Sequence, residues 1–283
     1  MSSVDAIGTR KIFRCSASDA AFFGVSALVF AVSVVLTIVR CASMSALSGM
    51  PMPGGWTLSM VWIRMCGQTW RDVAASFPGM WMAMTVAMML PSVLPTLWRY
   101  RNAVVKTGVM RSGALTVLMG MGYFFVWTVY GMAILPAGIA LAALEIQVPT
   151  LAHAVSLVSA VVVLIAGAFQ FTAWKAWHLA CCQRVPAGER ALPLDAGAAW
   201  RQGLRLGVHC SYSCAGLTSI LLVTGVMDLR AMVAVTTAIT AERLAPDGGC
   251  VARAIGVVVI ASGSLLLARA TGTAWSVPDG LME

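Results

Sequence analysis

Long apolar segments recur along this chain and leave little room for a water-soluble fold. About 20 consecutive apolar residues can cross the hydrocarbon core of a bilayer as a helix. Only 11% of the residues are charged, against about 25% in a typical soluble domain. We therefore expect an all-α, polytopic transmembrane helix bundle with about seven spans, or six if the short segment Leu229–Leu244 does not cross. The other segments are Ala20–Val39, Pro78–Trp98, Ala114–Ala137, His153–Trp174, Gly207–Met227 and Ala254–Leu267.

The beginning of the chain differs from the remainder. We assign residues 1–77 to a first transmembrane helix and an outer segment lying in the membrane interface. Trp56, Trp62 and Trp70 stand there among sparse charges, a composition typical of interfacial helices. Residues 78–283 are assigned to a transmembrane helical core that carries the candidate metal site. The first apolar run is too long for a signal-peptide core, so we interpret it as a retained span.

The basic residues are distributed unevenly over the predicted loops. With the N-terminus inside, fourteen of the 19 Lys and Arg residues fall in inner loops and five in outer ones. Cytoplasmic loops are enriched in Lys and Arg. We therefore expect a bacterial-type inner (plasma) membrane protein with a cytoplasmic N-terminus, in contact with the lipid bilayer. Because membrane topology accounts for the net charge of +8, no nucleic-acid partner is expected.

Two groups of thiol and imidazole side chains stand out from the apolar background. The first is His178, Cys181 and Cys182, and the second is His209, Cys210 and Cys214. Cys210 and Cys214 are four residues apart, so on a helix they share one face. The seven-span topology places both groups at one depth, at the cytoplasmic ends of two helices. Neither residue type is needed to cross a bilayer, which indicates a metal site. The candidate ligands are Cys182, Cys210 and Cys214, followed by His178, His209 and Cys181.

These candidate ligands favour copper over zinc. Thiolate and imidazole suit both Cu(I) and Zn(II), but zinc prefers four ligands in a closed tetrahedron. Cu(I) accepts fewer and softer ligands. We therefore expect Cu(I), with zinc as the alternative. Because cysteine must lose its proton to bind, the affinity for the metal should rise with pH.

Methionines follow one face of the second apolar segment. Met80, Met84 and Met88 recur every four residues, and their thioethers are soft ligands that could pass Cu(I) along a helix. Methionine also packs well in membrane helices, so the pattern alone does not separate a metal path from core packing. Pro91 and Pro95 should kink the same helix.

Few ionisable groups lie near the candidate ligands. Glu242 at the end of Leu229–Leu244 is either a functional group or a solvated helix cap beside Arg243. We interpret Lys175 as an anchor whose amine reaches the interface. No hydrolase triad, P-loop or dinucleotide fingerprint is present, and the chain has only 11 acidic residues. A binding role is therefore favoured over catalysis.

Several segments together resemble the domain of unknown function 2182 family, whose members are predicted metal-binding integral membrane proteins. The resemblance covers roughly Trp81 to Leu267 and implies a helical membrane protein that binds a metal, with no established reaction. Where the family has a Cys and a Trp, this chain has Ser213 and Ala215, which weakens a four-thiolate zinc site. The matching stretches are Trp81–Pro95, Gly122–Trp127, Gln170–Cys182, Gly207–Cys214, Gly225–Met232 and Glu242–Leu244.

The preferred function is the binding and delivery of a soft transition metal, copper first, with a partner membrane or periplasmic protein. One alternative is a transporter that passes mercury or another thiophilic ion between cysteine pairs. Another is a structural or assembly subunit of a larger membrane complex, in which the cysteines are incidental. A membrane redox enzyme is the third alternative.

Overall fold

The chain folds into eight helices and one pair of very short strands within the residues that the structure describes. This computed structural model describes residues 17–46, 50–51, 57–58, 70–107, 111–147, 149–183, 195–226 and 228–272. The strands β1 (Met50–Pro51) and β2 (Thr57–Leu58) pair antiparallel. The all-α prediction is confirmed. The helices are α1 (Ala17–Ala46), α2 (Trp70–Lys106), α3 (Ser112–Gln147), α4 (Pro149–Phe169), α5 (Ala173–Gln183), α6 (Ala196–Thr224), α7 (Leu229–Leu244) and α8 (Gly248–Ala270).

Five helices are long and apolar enough to cross a membrane, namely α1, α2, α3, α6 and α8. The bent pair of α4 and α5 is a sixth if it counts as one span. The prediction of seven spans is therefore wrong at α7. This helix has 16 residues, and at about 1.5 Å per residue it is shorter than a hydrocarbon core of about 30 Å. It also buries Glu242 and Arg243 at one end.

These helices are compatible with insertion in a membrane, but the earlier assignment of loop charges no longer applies. That assignment treated α7 as a span. The structure therefore does not support the inner or outer side of the membrane that was predicted for the basic residues in and after α7. The cytoplasmic N-terminus stays a prediction. Trp56 and Trp62 of the predicted interfacial segment lie outside the described residues. The division at residue 77 also stays a prediction, although α2 begins at Trp70 and runs on through Pro78.

Helix α6 lies at the centre of the bundle, in contact with α3, α4, α5 and α7. Two of its glycines allow α3 to approach closely. A Cβ atom on Gly203 would lie 2.1 Å from the carbonyl oxygen of Met119, and one on Gly207 would lie 2.9 Å from that of Tyr123. Small residues four apart permit such close packing between membrane helices. The contact holds α3 against the face of α6 that carries Cys210.

Helix α6 begins well before its apolar run. The sequence predicted a start at Gly207, whereas the helix starts at Ala196. The added turns carry exposed Arg201 and Arg205, so they are helical without being apolar. Cys210 therefore lies near the middle of α6, and the prediction that these ligands occupy a helix end is wrong for this helix.

The chain bends by 64° between α4 and α5. At the bend, the amides of Gln170, Phe171 and Thr172 donate to carbonyls three residues earlier, the tighter 3₁₀ pattern. The Thr172 hydroxyl then accepts a hydrogen bond from the amide of Lys175 at 3.3 Å and caps the start of α5. The prediction of a straight helix over His153–Trp174 is therefore wrong, and α5 is a separate short helix that packs on α6.

The close approach of α3 and α6 predicts a stability effect. Gly203→Ala places a methyl group against backbone, so we expect a loss of about 1–3 kcal/mol, measured as a lower unfolding temperature in detergent. Gly24→Ala is the matched control, because a Cβ there meets nothing within 4 Å and alanine favours a helix. Equal unfolding temperatures for the two variants would contradict this packing.

Candidate metal centre

Three cysteine side chains from two helices face the interior of the bundle. Cys182 on α5 and both Cys210 and Cys214 on α6 are 3% exposed or less. The sulfur atoms of Cys210 and Cys214 are 3.9 Å apart. Two sulfurs that each lie about 2.3 Å from one ion are separated by up to about 4.6 Å, so the pair is close enough to share an ion. Cys182 interacts electrostatically with both of the other thiols.

Hydroxyl groups surround these thiols. The Tyr123 hydroxyl lies 3.0 Å from the sulfur of Cys210, a consequence of the close packing of α3 on α6. The Ser213 hydroxyl donates to the carbonyl of Cys210 at 3.0 Å and lies 3.8 Å from the sulfur of Cys214. A hydroxyl that donates to a sulfur stabilises its anionic form. The Tyr123 hydroxyl is therefore within reach to donate to the sulfur of Cys210 when that thiol loses its proton.

A buried guanidinium group completes the cluster. Arg243 of α7 is 9% exposed, and its charge interacts with Cys182, Cys210 and Cys214. Its Nε and Nη2 atoms have no hydrogen-bond partner among the described residues. A guanidinium stays protonated in proteins, and a buried cation without a counter-charge costs several kcal/mol. The neighbouring Glu242 carboxylate interacts with this charge but is shared with Lys175, so a thiolate, or a metal bound by thiolates, would complete the counter-charge.

A buried ion pair fixes the end of α7 that carries Arg243. The ammonium group of Lys175 lies 2.9 Å from both carboxylate oxygens of Glu242, and it also donates to Gln170 Oε1. Both charged side chains are almost fully buried. Burial raises the pKa of Glu242 above its ordinary value, and the charge of Lys175 partly offsets this effect. The interpretations of Lys175 as an interfacial anchor and of Glu242 as a solvated cap are therefore wrong.

The two histidines form a separate pair. Their Nδ1 atoms are 2.9 Å apart across α5 and α6, with His178 on α5 and His209 on α6. Three aromatic rings contact the pair, and their side chains are 46–58% exposed. His178 is itself buried, at 6% exposed, and His209 is partly exposed, so the pair lies at the contact of α5 with α6 beneath these rings. The rings are those of Trp174, Trp177 and Tyr212.

The six predicted ligands therefore do not converge on one point. No group of three or more His, Cys, Asp or Glu side chains within the described residues has a geometry that could hold a metal ion. The cysteines and the histidines separate into two sets, and Cys181 is partly exposed beside Cys182. The thiol cluster formed by Cys182, Cys210 and Cys214 is the set that combines soft ligands with burial and a facing cation.

A family comparison identifies the chain. The model of the PpoB2 family, described as a copper chaperone, matches residues 78–266, more than half of the chain. The chain belongs to this copper chaperone family. The assignment to domain of unknown function 2182 is therefore wrong. No curated protein and no solved structure matches the chain.

Membership of the copper chaperone family supports copper over zinc and indicates copper handling. The matched range contains all six predicted ligands as well as Tyr123 and Arg243, whereas α1 lies outside it. Sequence reasoning missed Tyr123 and treated Arg243 as a solvent-facing neighbour of Glu242. An arginine near the end of a predicted helix carries no signal of burial, because its position here depends on the pairing of the neighbouring Glu242 with the distant Lys175.

A small polar pocket gives access to one edge of the thiol cluster. Its volume is about 50 Å³, enough for a water molecule. Cys182 and Arg243 form part of its wall, with Ser92, Pro95 and Arg99 of α2 opposite. Cys182 is therefore the thiol of the cluster that borders this pocket.

The buried ion pair predicts an asymmetric mutational response. Lys175→Met leaves the Glu242 carboxylate buried without its cation, so we expect a loss of about 3–5 kcal/mol, measured by thermal unfolding in detergent. The double variant Lys175→Met/Glu242→Leu should recover much of this loss, because no buried charge is left unpaired. Asp19→Asn, in the more exposed pair with Arg101, is the control and should cost less. A double variant no more stable than Lys175→Met would contradict the buried pair.

Proposed function

We propose that this member of the copper chaperone family binds Cu(I) between Cys210 and Cys214, with Cys182 as the third thiol, inside a membrane-embedded helix bundle. The observation that carries this proposal is the buried guanidinium of Arg243 facing three buried thiols. The bound ion is cargo for delivery to a recipient protein, and no chemical reaction is required.

Charge balance and ligand number together favour Cu(I) at this position. Two thiolates and one Cu(I) carry a net charge of −1, which the guanidinium of Arg243 neutralises. Zn(II) reaches the same net charge only with all three thiolates, and it is then still one ligand short of its closed tetrahedron. Two or three soft ligands also suit Cu(I) better than zinc, which prefers a closed set of four.

A low coordination number suits delivery. Cu(I) held by two thiolates has room for a third ligand, so an incoming sulfur can bind before an outgoing one leaves. Cys182 borders the polar pocket, which supports assigning it as that third ligand during entry or exit. The recipient would be a membrane or periplasmic protein that presents a soft ligand of its own. Each thiol that binds gives up a proton, so the affinity for Cu(I) increases with pH.

The remaining sequence candidates take secondary positions in this proposal. His178 and His209 are near enough to each other to share an ion, but within the described residues no cation interacts with His178, which is buried beneath exposed aromatic rings. Cys181 is partly exposed next to Cys182. We assign these three residues to a secondary set that is not required for Cu(I) to be held by the thiol cluster.

Replacement of the two α6 thiols tests the proposed binding site. Protein purified in mild detergent and loaded with Cu(I) under reducing conditions should retain about one tightly bound copper per chain, measured by elemental analysis. Cys210→Ser/Cys214→Ser should lose it, because serine is a hard and weakly acidic ligand. Cys250→Ser is the control, since Cys250 is exposed on α8. Tight copper in equal amount in all three proteins would overturn the proposal and favour a structural or assembly subunit.

Variants of Arg243 test whether its charge stabilises the bound ion. Arg243→Met removes the counter-charge, so we expect the affinity for Cu(I) to fall about 10- to 100-fold, the value of one charge-assisted interaction. Arg243→Lys keeps the charge and should retain most of the affinity. Competition with a Cu(I) chelator measures both variants. A fall of the same size for Arg243→Lys and Arg243→Met would show that packing, and not charge, is what arginine provides.

A further inference from the structure

A second cavity lies between α2, α3 and α6, and methionines line it. Its volume is about 40 Å³, and Met84, Met88 and Met89 of α2 form one wall. The aromatic side chains of Trp81 and Trp127 and the Thr218 side chain of α6 contribute to the other walls. All three methionines are 6% exposed or less, so their thioethers are enclosed within the bundle.

The structure separates these methionines from others on the same helix. The sulfur of Met82 accepts a hydrogen bond from the Thr128 hydroxyl at 2.8 Å and does not line the cavity. Met80 packs at the edge of the neighbouring apolar cluster. The pattern of a methionine at every fourth position therefore singled out two of the lining residues, Met84 and Met88, but not the third, Met89.

The methionine-lined cavity adjoins the thiol cluster. Thr218 follows Cys214 by one turn of α6, and its hydroxyl donates to the Cys214 carbonyl at 3.1 Å. On α2, the Ser92 hydroxyl donates to the carbonyl of Met89 at 2.8 Å, and Ser92 lines the polar pocket next to Cys182. The thiols are therefore flanked by a polar pocket on one side and by the thioether cavity on the other.

We propose that the methionine-lined cavity is a second Cu(I) site, formed by Met84, Met88 and Met89, which exchanges its ion with the thiol cluster. This proposal rests on the proposed function, because it takes the thiol cluster as the tighter of two sites. Thioethers are soft ligands that select Cu(I). The ion would pass between sulfur ligands at every step, with no change in its oxidation state.

The open volume is the reason to prefer a site over simple packing. Methionine is flexible and normally fills irregular gaps in a core, and native interiors leave few voids larger than a water molecule. Here three methionines surround a space that they do not fill. The walls are almost entirely apolar, and a cavity of that kind does not hold ordered water well. A soft cation bound by the three sulfurs fits both the size and the lining.

Electrostatics make this second site weaker than the thiol cluster. Thioethers are neutral, so bound Cu(I) keeps its positive charge in an apolar cavity, and none of the lining residues carries a charge. The rings of Trp81 and Trp127 line the cavity, and cation–π attraction to them would offset part of that cost. A site that binds Cu(I) selectively but weakly is suited to hold the ion briefly during its transfer. Because thioethers carry no proton, binding there does not depend on pH.

Selenium labelling tests the proposal directly. Protein with selenomethionine in place of its 18 methionines is loaded with excess Cu(I), and X-ray absorption at the copper edge reports copper–selenium scattering. We expect that signal in the wild-type protein and its loss in the triple variant Met84→Leu/Met88→Leu/Met89→Leu. The control Met121→Leu/Met132→Leu changes two exposed methionines of α3 and should keep the signal.

The cysteine variant separates this proposal from the proposed function. In Cys210→Ser/Cys214→Ser, the copper–selenium signal should persist and stay constant between mildly acidic and mildly alkaline buffer. A signal that is absent from the wild type, or unchanged in the methionine triple variant, would overturn the second site. If tight copper is still lost in the cysteine variant, the proposed thiol site stands even when the methionine site fails.

Discussion

The ion pair between Lys175 and Glu242 determines how the centre of this bundle is assembled. It joins α5, which begins after a bend of 64°, to the end of the short helix α7. Removal of two charges from water is repaid only when both are well paired and hydrogen-bonded, which restricts the arrangement of these two helices. Arg243 adjoins this glutamate and is carried into the interior with it, next to the cysteines of α5 and α6.

The charge of Arg243 bears on what the proposed thiol site can hold. Its guanidinium interacts with the Glu242 carboxylate, which is also paired with Lys175, so these three groups together carry one net positive charge. In the proposed site, two thiolates and one Cu(I) would balance that charge. Because cysteines give up their protons when a metal binds, the proposed site would not need acidic residues to hold a cation.

Composition and periodicity were sufficient for the helical class and for most of the apolar segments, because hydropathy over about 20 residues depends on local sequence alone. They failed to predict the features that depend on tertiary contacts. The bend after Phe169 and the early start of α6 at Ala196 are both compatible with ordinary helix-forming sequence. The burial of Lys175 and Arg243 could not be predicted from local sequence, because each charge interacts with side chains more than thirty positions away in the chain.

The candidate ligands show the same division between local and distant information. The thiols of Cys210 and Cys214 could be paired from their spacing, because a helix places residues four apart on one face. The separation of the histidines from the cysteines depends on which side of α5 meets α6, and no periodicity encodes it. An ion carrier needs ligands strong enough to hold copper and weak enough to release it. In the two sites proposed above, thiolates beside Arg243 and neutral thioethers nearby would provide that difference in affinity within a short distance.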